Sequence, residues 1–305
     1  MPSWDLVQTE IKAAGSAHDI LRRRYVKELS DYTGRNVILY YSGWLEKEAL
    51  VRQGLTGTEV NDSDKNGFMA TIHKLDRSKG LDLLLHTPGG NVAATESLVD
   101  YLRAMFGTNI RVIVPQLAMS AGTMIALSAQ TIVLGKHSSL GPIDPQINGI
   151  AAHGIVEEFE KARAEIAADA SAIPLWQPVI AKYPPTFVGE CQKAIDWANA
   201  MVKTWLQTGM FAGRSDAAAA ADAVVRELGD HALTLTHDRH INAERARALG
   251  LNVTMLEDDK ELQERVLTVH HASTQTLGET AAIKIIENQD GVSFISAVNP
   301  RPVGP

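Results

Sequence analysis

The sequence has 305 residues, of which 45% are hydrophobic, and this is enough to bury a large core in one or two domains. Its formal net charge of −7 excludes a general nucleic-acid-binding protein, because binding to phosphate requires a basic surface. The single cysteine, Cys191, excludes an intrachain disulfide and fits a reducing compartment. Cys191 lies in a helical pattern without a catalytic partner, so we predict a structural role for it.

The sequence has neither the pattern of a secretion signal nor that of a membrane span. The opening residues MPSWDLVQTEIKAAG lack a basic segment followed by an apolar one. No uncharged apolar run approaches the roughly 18 residues that a transmembrane helix requires. We therefore expect a cytoplasmic protein, with peripheral attachment to a membrane as an alternative.

Residues 1–30 are predicted to form an N-terminal helical extension, because apolar residues recur in them at helical spacing. Three consecutive arginines, Arg22, Arg23 and Arg24, lie in this stretch together with acidic residues. We interpret the three arginines as a solvated helical face and not as a binding patch.

Short runs rich in Ile, Val and Leu then alternate with helical patterns, which predicts an α/β fold with a mainly parallel sheet that is buried on both faces. The predicted strands are 36–42, 81–87, 110–116 and 131–135. Right-handed crossovers bring the turn after each strand to one edge of the sheet, where sites in such folds are built. The chain becomes mainly helical after residue 147. We predict a catalytic domain over 31–256 and a C-terminal extension over 257–305 that ends in a disordered Pro-rich tail.

Two turns at the predicted edge contain unusually small residues. The sequence TPGGN ends a strand and begins a helix, and Gly89 and Gly90 in it allow a close backbone approach that side chains would forbid. Backbone N–H groups at such a helix N-terminus suit a developing oxyanion, although the glycines could also serve the shape of a tight turn alone.

The second turn, LAMSAGT, contains Ser120 followed by Ala121 and Gly122. A serine before a helix is most often a cap. Because the two small-residue turns follow adjacent strands, we interpret Ser120 as a nucleophile and the Ala121 N–H as an oxyanion donor.

Three segments carry a family resemblance: LLLHTPGGNVAATESLVDYL, VIVPQLAMSAGTMIALSAQTIVLGKHSSLGPIDPQ and LTHDRHINAERARALGL. The sequence resembles the serine dehydrogenase proteinase family, which is related to signal peptide peptidase A and to archaeal membrane-associated stomatin-cleaving proteases. The resemblance implies a Clp/crotonase-like fold of repeated ββα and βα units with a helical C-terminal part. It also implies a serine peptidase without metal or organic cofactor, with Ser120 as nucleophile and Gly89, Gly90 and Ala121 around the oxyanion.

The general base has to be sought separately. In the Clp protease subunit a histidine follows the serine by about 25 residues, but here that neighbourhood contains Pro145 and no histidine. The signal peptide peptidase relatives use a lysine instead, and a lysine serves as base only when burial lowers its pKa. By resemblance we favour Lys182, which precedes a long helix, with Lys161 as the alternative. The remaining candidates are Lys136, Lys193, Lys203 and His137.

The segment SSLGPIDPQ is expected to form a wall of the site beside the nucleophile, with Asp144 orienting a polar group or capping a turn. Gly122 is expected to belong to the same wall. The run NDSDKNGFMATIH matches the opening of a calcium-binding EF-hand loop, but position 12 is His73 where a bidentate glutamate is required. We therefore predict a polar loop that caps a helix, and no metal site.

Two other functions stay open on the sequence alone. The same oxyanion donors would suit a crotonase-type acyl-CoA enzyme, and a lapsed site would leave an inactive peptide-binding scaffold. We expect a peptide or protein substrate, no nucleic acid and, by resemblance, a homo-oligomer. A membrane-protein or ATPase partner is not readable from the sequence.

Overall fold

The computed structural model describes residues 18–147, 149–229 and 239–298. Its strands are β1 (Asn36–Ser42), β2 (Leu81–His86), β3 (Ile110–Val114), β4 (Leu117–Ala118), β5 (Thr131–Leu134), β6 (Ser139–Leu140), β7 (Gln146–Ile147), β8 (Ile150–Ala151), β9 (Val253–Met255), β10 (Ala282–Asn288) and β11 (Ser293–Ala297). Seven of them form one sheet in the order β11-β10-β1-β2-β3-β5-β9. The strands from β1 to β9 in that order run parallel, whereas β10 and β11 are antiparallel to their neighbours.

The sheet is covered on both faces, and β1 and β2 are therefore buried along their whole length. Alternate residues of β1 face two different cores, with Tyr40 on one side and Leu39 on the other. Because the parallel strands share a direction, β2 and β3 bring the two small-residue turns to the same edge. The predicted α/β fold with a buried, mainly parallel sheet is confirmed.

The helices are α1 (His18–Thr33), α2 (Glu48–Arg52), α3 (Asp64–Ile72), α4 (Val92–Phe106), α5 (Ala121–Leu127), α6 (Ala152–Ala168), α7 (Ile173–Ile180), α8 (Phe187–Thr208), α9 (Ala217–Gly229), α10 (Ala243–Ala248) and α11 (Lys260–Glu279). Helices α1 and α11 pack together and cover one sheet face. Apolar side chains of α3, α4, α5, α8 and α9 form the core on the other face. In the described part of the chain, no helix is both long and apolar enough to cross a membrane.

Strands β10 and β11 correct the expectation that residues from 257 onward form an appended extension. Strand β10 pairs directly with β1, so this part of the chain lies inside the sheet and not beyond it. A sequence signal for the hairpin was present, because Asp290-Gly291 separates two apolar runs and Gly291 adopts the positive φ that such turns use. The Pro-rich tail and most of residues 1–30 lie outside the described residues.

The arginine cluster is the second correction. Arg22 is fully buried, and its Nε lies 2.7 Å from Oε2 of the equally buried Glu287 on β10. Its guanidinium also donates to the Thr276 hydroxyl at 3.0 Å. Arg23 and Arg24 remain partly in solvent, so the three consecutive arginines point to different sides of α1 and do not form one solvated face.

Replacing Arg22 by methionine is expected to lower the free energy of unfolding by about 3–5 kcal/mol, because removing one partner of a buried ion pair leaves the other charge poorly compensated. The matched control is Arg24→Ala, since Arg24 lies in the same helix but half in solvent. A surface change of this kind costs about 0.5 kcal/mol or less. Urea denaturation of both variants tests the difference, and equal losses would contradict the buried position of Arg22.

Helices α6 and α7 and the first turns of α8 form a helical arm, whose small core comes from α6, α8 and adjoining residues and includes none of α7. Cys191 is fully buried in that core, as a structural role requires. Helix α7, with the sequence IPLWQPVI, contains no buried residue although nearly all of its side chains are apolar. The side chain of Leu175 is 75% exposed and that of Ile173 is 45% exposed.

Candidate active site

Ser120 occupies a strained turn between β4 and α5. Its φ of 51° and ψ of −117° lie in a region that non-glycine residues rarely adopt, at a cost of order 1–3 kcal/mol. Although Ser120 directly precedes α5, its hydroxyl makes no capping hydrogen bond to that helix. The helix-cap interpretation of Ser120 is therefore wrong, and the turn instead presents the half-buried hydroxyl at the edge of the sheet.

The Gly89-Gly90 turn packs directly against Ser120. A Cβ atom on Gly89 would lie 2.7 Å from the Cβ of Ser120 and 2.9 Å from the backbone nitrogen of Ala121. Gly89 has a φ of 97°, which also favours glycine. The absence of a side chain at Gly89 is thus required by close contact with the serine and its helix, as well as by the shape of the turn.

Two backbone N–H groups beside Ser120 are available to a bound group. In the described part of the chain, the N–H of Gly90 and that of Ala121 make no backbone hydrogen bond outside regular elements. Ala121 is the first residue of α5, where a helix leaves its N–H groups without internal partners. The N–H of Gly89 differs, because it donates to the Thr87 hydroxyl at 3.2 Å. The N–H groups of Gly90 and Ala121 therefore differ from that of Gly89, whose partner is the Thr87 hydroxyl.

A cavity of about 460 Å³ opens in front of these groups. Its wall is largely apolar, with acidic side chains only at Glu59 and Asp144 among the residues that line it. The lining residues are Glu59, Pro88, Gly89, Gly90, Asn91, Val92, Ala93, Ser120, Met124, Ile143, Asp144, Pro145, Gln146, Ala194 and Trp197. Ser120 and Gly90 thus both border this cavity.

Asp144 and Gly122 occupy different positions relative to the cavity. Asp144 lies in the wall as predicted, and its side chain is fully buried. Gly122 lies behind the nucleophile, where an added Cβ would be 2.5 Å from Cγ2 of Thr87. Gly122 therefore fixes how closely the two turns pack and does not line the cavity itself.

The structure does not bring Lys182 to Ser120 within one chain. Lys182 lies in the turn after α7, its side chain is exposed, and it does not line the cavity. Lys161 on α6 is also exposed and lies 4.0 Å from Glu165. The other four candidates, Lys136, Lys193, Lys203 and His137, do not line it either. None of the described residues lining the cavity is a lysine or a histidine.

No group of three or more His, Cys, Asp or Glu side chains among the described residues is arranged to hold a metal ion. Asp64 belongs to the segment whose sequence resembles the start of an EF-hand loop. Its Oδ1 lies 2.7 Å from Nζ of Lys284 and so forms an ion pair.

A family model described as ClpP-like SDH-type serine proteinase matches residues 15–290 of the chain. The chain belongs to this family. The resemblance drawn from the TPGG, AMSAGT and LGPIDPQ segments is thereby confirmed.

Relatives of this ClpP-like SDH-type proteinase occur in Methanocaldococcus jannaschii. The uncharacterized protein MJ0137 is 28% identical over 274 residues, which cover 88% of this chain and 83% of the relative. The uncharacterized protein MJ1495 is 31% identical over 147 residues, or 48% of this chain and 49% of the relative. Among solved structures, a mutant of the 1510-N membrane-bound stomatin-specific protease has a TM-score of 0.40 and 20% identity, covering 68% of this chain and 79% of that one.

Two parts of this serine proteinase's site were not predicted. Val60 forms an isolated parallel β-bridge with Gly90, so the segment before α3 borders the Gly89-Gly90 turn. Trp197 reaches the cavity from α8, a helix whose other large apolar residues face the core. Trp197 lies off the buried apolar stripe of α8, and this position is the one sequence signal that could have singled it out. In the structure Trp197 is 41% exposed.

Proposed function

We propose that this chain is a serine peptidase that hydrolyses peptide bonds through an acyl-enzyme on Ser120. The observation that carries the proposal is the strained backbone of Ser120, whose hydroxyl does not cap its helix and lies at the mouth of the cavity. Strain of this kind persists where the surroundings demand it, and it is characteristic of nucleophiles on sharp strand-to-helix turns. Membership in a serine proteinase family supports the same reaction.

In the proposed reaction the Ser120 oxygen attacks the carbonyl carbon of the scissile peptide bond, and a general base accepts the hydroxyl proton. The N–H groups of Gly90 and Ala121 donate to the negative oxygen of the tetrahedral intermediate. When the C–N bond breaks, the same base returns the proton to the departing amine. Water then attacks the ester on Ser120 and restores the free hydroxyl.

We assign the base to Lys182 and propose that it acts on Ser120 of a second copy of the chain. Three observations support this arrangement. The cavity of one chain contains no lysine or histidine among its described lining residues. Lys182 follows the end of α7 by two residues, and α7 is the apolar helix that the single chain leaves uncovered. An exposed apolar surface of this kind is typical of a protein interface.

A contact that covers α7 would also remove Lys182 from water. A lysine loses its preference for the charged form when it is desolvated, and this is what a lysine base requires. The proposed homo-oligomer therefore explains two features at once: an apolar helix without a core of its own and an exposed lysine.

The proposal is tested by labelling with a fluorophosphonate, which reacts only with an activated serine. We expect the wild-type protein to be labelled on the peptide that contains Ser120 and the Ser120→Ala variant to be unlabelled. The matched control is Ser128→Ala, because Ser128 ends the same helix but is buried and donates to the Ile125 carbonyl. This variant is expected to be labelled like the wild type.

Two outcomes would contradict the peptidase assignment. Labelling that persists in Ser120→Ala would mean that another residue reacts. An unlabelled wild-type protein that binds coenzyme A tightly would favour a crotonase-type enzyme, and one that binds peptides without reacting would favour a scaffold.

A further inference from the structure

The turn at Gly89 and Gly90 is called the oxyanion turn, because the proposed reaction uses the Gly90 N–H. A buried polar network lies behind this turn, on the sheet face that also carries Ser120. At its centre Lys284 of β10 donates from Nζ to Oδ1 of Asp64 at 2.7 Å. Both side chains are only 1% exposed. Burial lowers the pKa of Lys284, and the neighbouring carboxylate of Asp64 opposes that effect. Buried ion pairs contribute little net stability compared with well-packed apolar residues, so this pair calls for another explanation.

The Lys284–Asp64 pair makes hydrogen bonds to the backbone of segment 59–61. Nζ of Lys284 donates to the Glu59 carbonyl at 2.6 Å. Oδ2 of Asp64 accepts the N–H of Asn61 at 2.9 Å. The backbone on both sides of Val60 is thus fixed by charged side chains that solvent does not reach.

The same segment makes backbone hydrogen bonds to the oxyanion turn. Val60 donates its N–H to the Gly89 carbonyl at 2.7 Å and accepts the N–H of Asn91 at 2.8 Å. These two bonds bracket Gly90, whose own N–H is left for a ligand. A Cβ on Gly90 would lie 2.3 Å from the Val60 nitrogen, so the two backbones are in direct contact.

Asp64 has a further buried partner in Tyr40. Its hydroxyl donates to Oδ2 of Asp64 at 2.6 Å. Burial raises the pKa of Tyr40, and the charge of Asp64 raises it further, so the phenol stays protonated as a donor. Asp64 therefore binds Tyr40, Lys284 and the Asn61 N–H together in one buried network.

We propose that the Lys284–Asp64 ion pair is a positioning unit that sets the direction of the Gly90 N–H toward the oxyanion. This inference rests on the proposed peptidase function and extends its site to two residues that do not touch substrate. Oxyanion donors act by being fixed before the reaction, so a small rotation of the turn weakens transition-state binding more than substrate binding.

The informative variant is the double replacement Lys284→Met with Asp64→Leu, because removing one partner alone would leave a buried unpaired charge and threaten folding. The matched control is the double replacement Arg22→Met with Glu287→Gln. It removes a buried ion pair that also involves β10 but lies on the opposite sheet face, against α1.

We expect the Lys284/Asp64 double variant to stay folded and to lose about tenfold or more in kcat, with KM changed less than about threefold. Its affinity for a peptide boronate, which forms a tetrahedral adduct with serine, is expected to fall in parallel with kcat. The Arg22/Glu287 control is expected to keep wild-type kcat and boronate affinity. A Lys284/Asp64 variant with wild-type kcat and boronate affinity overturns the inference, and so does an equal loss in the control.

Amide hydrogen exchange gives a readout that does not depend on activity. Exchange of the peptide 87–91 is expected to rise about tenfold in the Lys284/Asp64 variant and to stay unchanged in the control. If the wild type is not labelled by fluorophosphonate but exchange responds as expected, the proposed function fails and the positioning contact stands. If labelling succeeds and exchange at 87–91 does not change, the positioning inference fails alone.

Discussion

An equal mixture of the Ser120→Ala and Lys182→Ala variants is expected to recover about a quarter of the wild-type peptidase activity, although each variant is nearly inactive by itself. In an oligomer assembled at random from the two variants, about a quarter of the sites combine an intact serine with a neighbour's intact lysine. Alone, Ser120→Ala is expected to lose about 10⁴-fold or more in kcat through loss of the nucleophile. Lys182→Ala is expected to lose about 10²- to 10⁴-fold through loss of the base.

Hydrolysis of fluorescently labelled casein measures the recovery, after the two variants have been mixed and given time to exchange subunits. The matched control replaces Lys182→Ala by Lys161→Ala in the mixture. Lys161 lies on the same helical arm and is also exposed, but the proposal gives it no role, so Lys161→Ala alone should be fully active. Two results would contradict the assignment. Activity of Lys182→Ala at the wild-type level would remove Lys182 from the reaction, and an inactive mixture would mean that serine and lysine act within one chain.

Replacing Gly89 by alanine is expected to reduce kcat about a hundredfold or more, even though its N–H is not an oxyanion donor in the proposed reaction. The added methyl group would lie 2.6 Å from the Met119 carbonyl oxygen and 2.7 Å from the Ser120 Cβ. One of the two turns has to move, and a displaced nucleophile or oxyanion donor costs about 10²- to 10³-fold in rate. The casein assay and the rate of fluorophosphonate labelling should fall together.

The control for Gly89→Ala is Gly34→Ala. Gly34 also has a positive φ, of 68°, but an added Cβ there would meet nothing within 4 Å. This variant should be destabilised by about 1–2 kcal/mol through backbone strain alone and should keep full activity. Equal activity of the two variants would contradict the close packing of Gly89 on the nucleophile.

The two small-residue turns of the candidate site could be predicted because their signals are local, while the roles of nucleophile and oxyanion donors stay predictions. Gly89, Gly90, Ser120 and Ala121 each lie within three residues of a strand or a helix end, and the parallel sheet brings consecutive turns together. The hydrogen bond from the Gly89 N–H to the Thr87 hydroxyl could not be read from the sequence, because it depends on the exact shape of the turn.

Features that depend on distant parts of the chain could not be predicted in this way. Arg22 is buried only because Glu287, 265 residues away, lies on the neighbouring strand. Asp64 similarly has a partner 220 residues away, so its loop imitated a calcium site in the sequence. The sequence also gave no reason to expect that α7 would be left without a core, since apolar helices are normally buried.

The position of β10 next to β1 has a consequence for synthesis on the ribosome. β1 emerges early from the ribosome. One of its edges stays unpaired until β10, which is translated more than 240 residues later, can form hydrogen bonds with it. Until then Arg22 and Asp64 lack their partners, and pairings of such long range form late. By the positioning proposal, the nascent chain carries Ser120 before the oxyanion turn is fixed. The growing polypeptide would therefore cleave itself or its neighbours more slowly until β10 has joined the sheet.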